Sequence, residues 1–294
     1  MEIQDKYINP FTDFGFKKLF GSEFNKELLM DFLNNVLSGR ERIVELTYMN
    51  VKKQGVTEAD RKAVFDLYCK NENDEVFIIE VQNVFQQYFK DRSLYYATFP
   101  IQEQARRGKD WDYQLQAVYT IAILNFSFEE KADSRFRREV QLTDTETHEI
   151  FYDKFSFIYL EVPNFNRDVD ELQTSFDKWM YVLKHLPRLQ ERPRELQEKI
   201  FQRFFEQAEI AKLNPQDMNA YEQSLKVLRD NYSIQKTATE QGKKEGLKLG
   251  IEEGRKEGRK KEKITIARRL KASGLAISII ADSTGLTPEE IERL

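Results

Sequence analysis

Two neighbouring runs of the sequence are rich in the apolar residues that β-strands favour. They are KAVFDLYCKN at residues 62–71 and EVFIIEVQ at residues 75–82. Apolar, β-branched and aromatic residues fill both runs, and turn-forming residues lie between them, which is typical of a hairpin. Asp66 falls in the middle of the first run and Glu80 near the end of the second. The pattern therefore predicts two acids on adjacent strands.

Apolar residues at helical spacing precede and follow this hairpin. They predict a helix pair over residues 16–37, broken at Gly21 and Ser22, and a long helix over residues 84–107. Strands are expected at residues 43–51 and 116–126, and a further antiparallel pair in RFRREVQLTD and EIFYDKFSFIYLEVPNF. Thr12 or Asp13 can cap the first helix, and Pro100 is expected to kink the long one. The elements follow the order αβββαβ.

Beyond residue 166 the apolar spacing becomes helical, and we expect residues 166–236 to form a helical buttress. Residues 237–263 are low in complexity, with a glycine at every fourth position among Lys, Arg and Glu. Such a stripe lets two helices approach closely, and the same composition also suits a flexible tether. Close pairing is the favoured interpretation, and it predicts a homo-oligomer assembled through the C-terminal region.

Residues 264–294 predict a small unit that resembles a helix-turn-helix. Thr287 and Glu290 form a capping box around Pro288. The would-be recognition helix carries Glu289, Glu290 and Glu292, which phosphates would repel. Packing or self-association is therefore expected of this unit, and any DNA contact is expected from the basic run at residues 255–263 or from Arg268 and Arg269.

Composition limits the possible chemistry. Fifty acidic residues against 46 basic ones leave a net charge of −4, so any contact with DNA must come from a local patch. Cys69 is the single cysteine, which excludes an internal disulfide and fits a reducing cytoplasm. His148 and His185 lie far apart, and zinc chemistry has no support. Without a long apolar run or a signal peptide, a cytoplasmic protein with no membrane partner is expected.

The two acids of the hairpin are the strongest chemical signal. A carboxylate in an apolar run is costly to bury unless its charge is compensated. Two carboxylates side by side repel each other unless a proton or a divalent cation lies between them, and Mg²⁺ is the natural ion for oxygen ligands. The alternative is that Asp66 and Glu80 are strand residues that simply face water.

Several segments resemble one known family. They are YINPFTDFGFKKLFG at residues 7–21, the following LLMDFLNNVL, EVQ at 80–82, RSLYY at 92–96 and the strand VYTIAILNF. Together with the αβββαβ order, they resemble the Rpn-type PD-(D/E)XK nucleases, the recombination-promoting nuclease or putative transposase family. The resemblance spans about residues 5–165. It implies an α/β, restriction-endonuclease-like core over residues 1–165, with a mainly helical C-terminal part after it.

The resemblance also implies which residues form the site. Asp66 and Glu80 would bind Mg²⁺, for which Mn²⁺ can substitute, together with the backbone carbonyl of Val81. Gln82 takes the place of the signature lysine, and Phe65 takes the place of the signature proline. Glutamine can orient water and form hydrogen bonds but brings no positive charge.

Accessory residues follow from the same resemblance. Asp13 or Glu27 would supply the acid that the first helix often lends to the site, and Lys17 would supply the missing charge. A helix cap with an i,i+4 ion pair is the alternative for Asp13 and Lys17. Arg92 is expected either to contact a DNA phosphate or to form an ion pair with a site acid.

The expected function is a Mg²⁺-dependent DNA endonuclease with weak sequence specificity, acting in recombination, mobile-element or defence contexts. Two alternatives stay open. One is a catalytically lapsed nuclease fold that acts as a DNA-binding or oligomeric scaffold. The other is a regulatory interaction protein whose C-terminal helices carry the function.

Overall fold

The computed structural model describes residues 5–40, 42–53, 63–105, 112–128 and 135–294. The chain divides into two compact units, Met1–Asn231 and Tyr232–Leu294. The start of the first predicted hairpin strand at Lys62 and the predicted helix end at residue 107 lie outside the described residues.

The first unit is built around a mixed sheet of six strands. These are β1 (Leu46–Tyr48), β4 (Leu67–Asn71), β5 (Val76–Gln82), β6 (Val118–Leu124), β7 (Arg137–Thr143) and β8 (Ile150–Glu161), and their order across the sheet is β1-β4-β5-β6-β8-β7. The pairs β5–β6 and β6–β8 are parallel, and the other pairs are antiparallel. Helix α3 (Phe89–Gln104) makes the crossover that the parallel pair β5–β6 requires. The predicted α/β fold is confirmed.

The first strand of the predicted hairpin is not continuous. Its start forms β3 (Ala63–Val64), which pairs with β2 (Lys52–Lys53) in a separate two-stranded sheet, and β4 begins only at Leu67. Phe65 donates its N–H to the carbonyl of Val51, and Asp66 bonds to side-chain and backbone groups of β5 instead of extending the ladder. The prediction of one strand with Asp66 in its middle was therefore wrong, because Asp66 lies at a break.

The two faces of the sheet are covered by different helices. One face packs against α1 (Asp13–Phe20), α2 (Lys26–Val36), α4 (Ser175–His185) and α5 (Lys199–Ala208). Trp179 lies in this core among the rings of Phe20, Phe32, Phe201 and Phe204. The other face packs against α3. Since side chains alternate along a strand, Glu80 shares the α3 face with Ile78.

The segment before α1 is held by close backbone contacts. Thr12 caps the helix by accepting the Gly15 N–H at 3.0 Å, as predicted, and donates its hydroxyl to the carbonyl of Asn9 at 2.8 Å. A Cβ at Gly15 would lie 2.1 Å from that carbonyl oxygen, so only glycine fits. The Asn9 N–H donates to the Tyr221 hydroxyl at 2.8 Å, which ties this segment to α6 (Pro215–Ala272).

Helix α6 is continuous through the predicted glycine stripe. The five glycines of the stripe have open space where a Cβ would lie: Gly242, Gly246, Gly250, Gly254 and Gly258. In the second unit, the end of α6 packs with α7 (Ile277–Thr284) and α8 (Pro288–Glu292) around Ala267, Ile280 and Ile291. The Thr287 and Glu290 capping box is present, as predicted. None of the described helices is long and apolar enough to cross a membrane.

Candidate active site

Asp66 makes two hydrogen bonds to β5 at the break between β3 and β4, one with Glu80 and one with Val81. The Asp66 N–H donates to Oε1 of Glu80 at 3.3 Å, and the Val81 N–H donates to Oδ2 of Asp66 at 2.7 Å. Leu67 and Ile79 are opposite each other in the adjacent ladder, so the contacts continue its register by one step. The side chain of Glu80 therefore meets the backbone of Asp66, and the side chain of Asp66 meets the backbone of Val81, the residue after Glu80.

The backbone carbonyl of Val81 points to the side of β5 on which Asp66 lies. Along a strand, the N–H and C=O of one residue point to the same side, and those of the next residue point to the other. Val81 directs its N–H to Asp66, whereas Gln82 directs its carbonyl toward the other side, where it accepts the Asn125 N–H at 2.9 Å. The backbone therefore offers one oxygen beside the two carboxyl groups.

Burial is the main influence on the charge of this pair. Glu80 is 8% exposed, and burial followed by the charge of Asp66 raises its pKa to about 8. Burial also raises the pKa of Asp66, although the Val81 N–H and the charges of Lys17 and Arg92 act against it. Around neutral pH the pair therefore holds a proton, unless a cation takes its place.

The donor set fits Mg²⁺ or Mn²⁺ better than zinc. Two carboxylates and one carbonyl are hard oxygen ligands, and such ligands suit Mg²⁺, which keeps several waters in its shell. Within the described residues, no group of three or more His, Cys, Asp and Glu side chains could hold a metal. An ion here would accordingly rest on Asp66, Glu80, the Val81 carbonyl and water.

Asp13 and Lys17 lie beside the pair on the first turns of α1. They form an i,i+4 ion pair at 2.5 Å, which is one of the two readings of the sequence. The charge of Lys17 also lowers the pKa of both site acids, and that of Asp13 raises the pKa of Asp66. Asp13 and Lys17 therefore form the ion pair and also lie close enough to Asp66 for their charges to affect its pKa.

Arg92 contacts Gln82 rather than a carboxylate. Its Nη2 donates to Oε1 of Gln82 at 2.6 Å, and its Nη1 donates to Oε1 of Gln86 at 2.7 Å. Nε2 of Gln82 donates to the carbonyl of Val84 at 2.9 Å, so both polar atoms of Gln82 are engaged. The charge of Arg92 lowers the pKa of Glu80. A guanidinium therefore lies one hydrogen bond away from the side chain that replaces lysine.

Glu27 is not brought to the site. Its side chain is 71% exposed and forms an ion pair with Arg203 of α5 at 2.5 Å. The chain breaks after α1 at Gly21 and restarts α2 at Lys26, and this change of direction turns the first turn of α2 toward α5. Of the two acids expected from this part of the chain, only Asp13 lies near the pair.

Tyr96 is a neighbour of the site that the sequence analysis did not single out. It lies one turn beyond Arg92 on α3, and its ring contacts that of Phe65 edge-on at 5.4 Å. Burial and then the charge of Glu80 raise the pKa of Tyr96, and the Val64 N–H donates to its oxygen. The i,i+4 spacing of Arg92 and Tyr96 within RSLYY was the available signal.

Asp66 and Val81 open onto a cleft of about 940 Å³ within the first unit. Its walls come from the segment before α1, from α1 and the turn after it, and from α5 and the first turns of α6. The residues that line it are Phe11, Thr12, Asp13, Phe14, Phe16, Lys17, Lys18, Ser22, Phe24, Asn25, Asp66, Val81, Asn83, Gln207, Ala220, Gln223, Ser224, Val227, Leu228 and Asn231.

Comparison with protein families matches residues 10–238 to the PD-(D/E)XK nuclease family transposases. The chain belongs to this family. No curated protein and no solved structure gave a significant match. The matched residues include the opening segment, the acid pair and the first turns of α6.

Proposed function

We propose that this chain is an endonuclease that hydrolyses the phosphodiester backbone of DNA with Mg²⁺ or Mn²⁺. Asp66, Glu80 and the Val81 carbonyl would hold the ion. The observation that carries the proposal is the pair of hydrogen bonds that Asp66 makes with Glu80 and Val81 of β5, which holds one largely buried acid next to the other. Holding two acids in this way is unfavourable for the fold alone, so their proximity favours a binding role.

The remaining groups have separate roles in this proposal. A bound divalent ion supplies a Lewis acid and lowers the pKa of a coordinated water. Lys17 and Arg92 flank the acid pair and favour its ionised form. They also provide positive charge close to where a phosphate would lie, and we assign them together the role of the missing signature lysine. Arg92 holds Gln82 in place through its hydrogen bond.

Nicking of supercoiled plasmid tests the proposal. Asp66→Asn keeps the shape of the side chain but removes its charge, and we expect nicking in Mg²⁺ to fall by more than ~100-fold. The reason is that losing even a residue that only hydrogen-bonds to a metal ligand lowers metal affinity or activity by ~10–100-fold. A chelator should abolish nicking by the unaltered protein. Glu27→Gln is the matched control, since this acid pairs with Arg203 outside the site, and it should retain full activity.

Persistence of the same nicking in Asp66→Asn, or in the presence of chelator, would refute the assignment. One observation favours the lapsed scaffold as a second candidate, because each polar atom of Gln82 already makes a hydrogen bond within the protein, which leaves the side chain less capacity to orient a water. In that case the unaltered protein would bind DNA but leave plasmid intact in both Mg²⁺ and Mn²⁺. Self-association through residues 237–263, weak sequence specificity and the biological context remain predictions.

A further inference from the structure

We propose that the cleft beside Asp66 and Val81 binds unpaired nucleobases, so that the strand to be cut is single-stranded or splayed open next to the scissile bond. The link to cleavage rests on the proposed nuclease function. The binding of bases is a separate property of the cleft and can be measured without cleavage.

The size of the cleft favours unpaired nucleotides. Its volume of about 940 Å³ lies at the upper end of the ~300–1,000 Å³ that pockets for compact ligands occupy. A duplex is too large for this volume, since its major groove alone is about 12 Å wide, and it would have to stay outside the cleft. A strand whose phosphate reaches Asp66 can place its neighbouring bases within this volume only if they are unstacked from a partner strand.

The charge pattern of the cleft favours bases over phosphates. The wall from α5 and α6 carries amide, hydroxyl and apolar side chains but no charged one: Gln207, Ala220, Gln223, Ser224, Val227, Leu228 and Asn231. On the opposite wall, Lys17 is paired with Asp13, and Lys18 is paired with Asp217 at 2.7 Å. Amides both donate and accept hydrogen bonds, as the edges of unpaired bases require.

Phe24 offers a stacking surface at the rim of the cleft. Its ring is 68% exposed. The guanidinium of Arg203 lies over the ring at 5.0 Å and also donates to the Phe24 carbonyl, which holds the residue in place. A base that stacks on a fixed ring needs no further ordering of the protein, and such stacking tolerates every base.

Asn25 provides an independent sign of a missing partner. It is 2% exposed and lines the cleft directly after Phe24. Its Nδ2 donates to the carbonyl of Lys18 at 2.8 Å, whereas its Oδ1 has no hydrogen-bond partner among the described residues. A buried acceptor left without a donor is unfavourable. The amino and imino groups of bases are donors of the kind that this oxygen lacks.

Fluorescence anisotropy in chelator measures binding without hydrolysis. The probes are a labelled single strand of about twelve nucleotides, the duplex of the same sequence, and an abasic strand of equal length. We expect the single strand to bind at least ~10-fold more tightly than the other two. Phe24→Ala should weaken single-strand binding by ~5-fold or more, as the loss of one stacked base does. Phe151→Ala, which removes a ring that is 80% exposed outside the cleft, should change nothing.

Gln223→Leu provides a second variant on the opposite wall, and it should also weaken single-strand binding. Equal binding of the single strand and the abasic strand, or identical effects of Phe24→Ala and Phe151→Ala, would overturn the inference, as would no binding of any probe. Selective binding without plasmid nicking would leave the inference standing and remove the nuclease proposal. Nicking of plasmid without preferential binding of unpaired bases would support the nuclease proposal and overturn this inference.

Discussion

Replacing Glu80 with glutamine isolates the energetic cost of keeping two acids adjacent. Glutamine has the same shape and retains the oxygen that accepts the Asp66 N–H, so the change removes charge and little else. Burial and the charge of Asp66 raise the pKa of Glu80 from its ordinary value of 4.5 to about 8. The folded protein therefore keeps this proton over a pH range in which the unfolded chain has already lost it.

The sign and size of the effect follow from this difference. Below pH 4.5 Glu80 holds its proton in both the folded and the unfolded chain, and the raised pKa of this residue costs no stability. As the pH rises from about 4.5 to about 8, folding retains a proton that the unfolded chain releases, and stability falls. At ~1.4 kcal/mol for each pKa unit, the loss approaches ~5 kcal/mol by pH 8. Glu80→Gln lacks this loss, so the variant should be more stable than the unaltered protein at pH 8 and similar to it near pH 4.5.

Urea unfolding in chelator, followed by tryptophan fluorescence, measures this difference, because Trp179 is fully buried in the first unit. Adding Mg²⁺ at pH 8 should stabilise the unaltered protein by mass action and leave Glu80→Gln unchanged. Glu27→Gln, which alters an exposed acid, should follow the unaltered protein at every pH. Parallel pH profiles for the unaltered protein and Glu80→Gln would refute the reasoning about the acid pair.

Two further predictions concern the flanking cations and the segment before α1. Arg92→Gln and Lys17→Gln each remove a charge that lowers the pKa of both acids, so the pH profile of nicking should shift to higher pH. Lys90→Gln, the control, should not shift the profile. If all three variants gave the same pH profile, this account of the two cations would be wrong. Gly15→Ala should destabilise the protein by ~2 kcal/mol or more in thermal melting, because its Cβ would meet the Asn9 carbonyl. Gly250→Ala, with open space around it, should instead stabilise the helix by up to ~1 kcal/mol. Equal melting temperatures of the two variants would contradict the close approach of Gly15 to the Asn9 carbonyl.

Most of the fold could be predicted because its strands and helices follow simple periodicities. The two sides of the sheet are covered, and β5 and β6 read as buried apolar runs of the kind expected for a parallel pair. The break at Phe65 could not be predicted in the same way. Phe65 and Asp66 continue the residue pattern of a strand, and what interrupts the ladder is a long-range bond from Asp66 to Val81. Local sequence does not contain such a contact.

The acid pair could be predicted for a similar reason, since a short turn after Asn71 sets a register whose continuation brings Asp66 opposite Glu80. The positions of the accessory groups depend on tertiary packing. Glu27 and Asp13 looked equivalent in sequence, but the turn between α1 and α2 sends them in different directions. The contact of Arg92 with Gln82 likewise depends on how α3 lies on the sheet.

The bond between Asn9 and Tyr221 has a practical consequence for anyone who shortens this protein. The segment that begins the chain and the first turns of α6 are more than two hundred positions apart, yet they support each other directly. A fragment that stops where the last sheet strand ends would lose Tyr221 together with Trp179, Phe201 and Phe204 of the core. A truncated version intended to keep the acid pair intact must therefore extend well into α6.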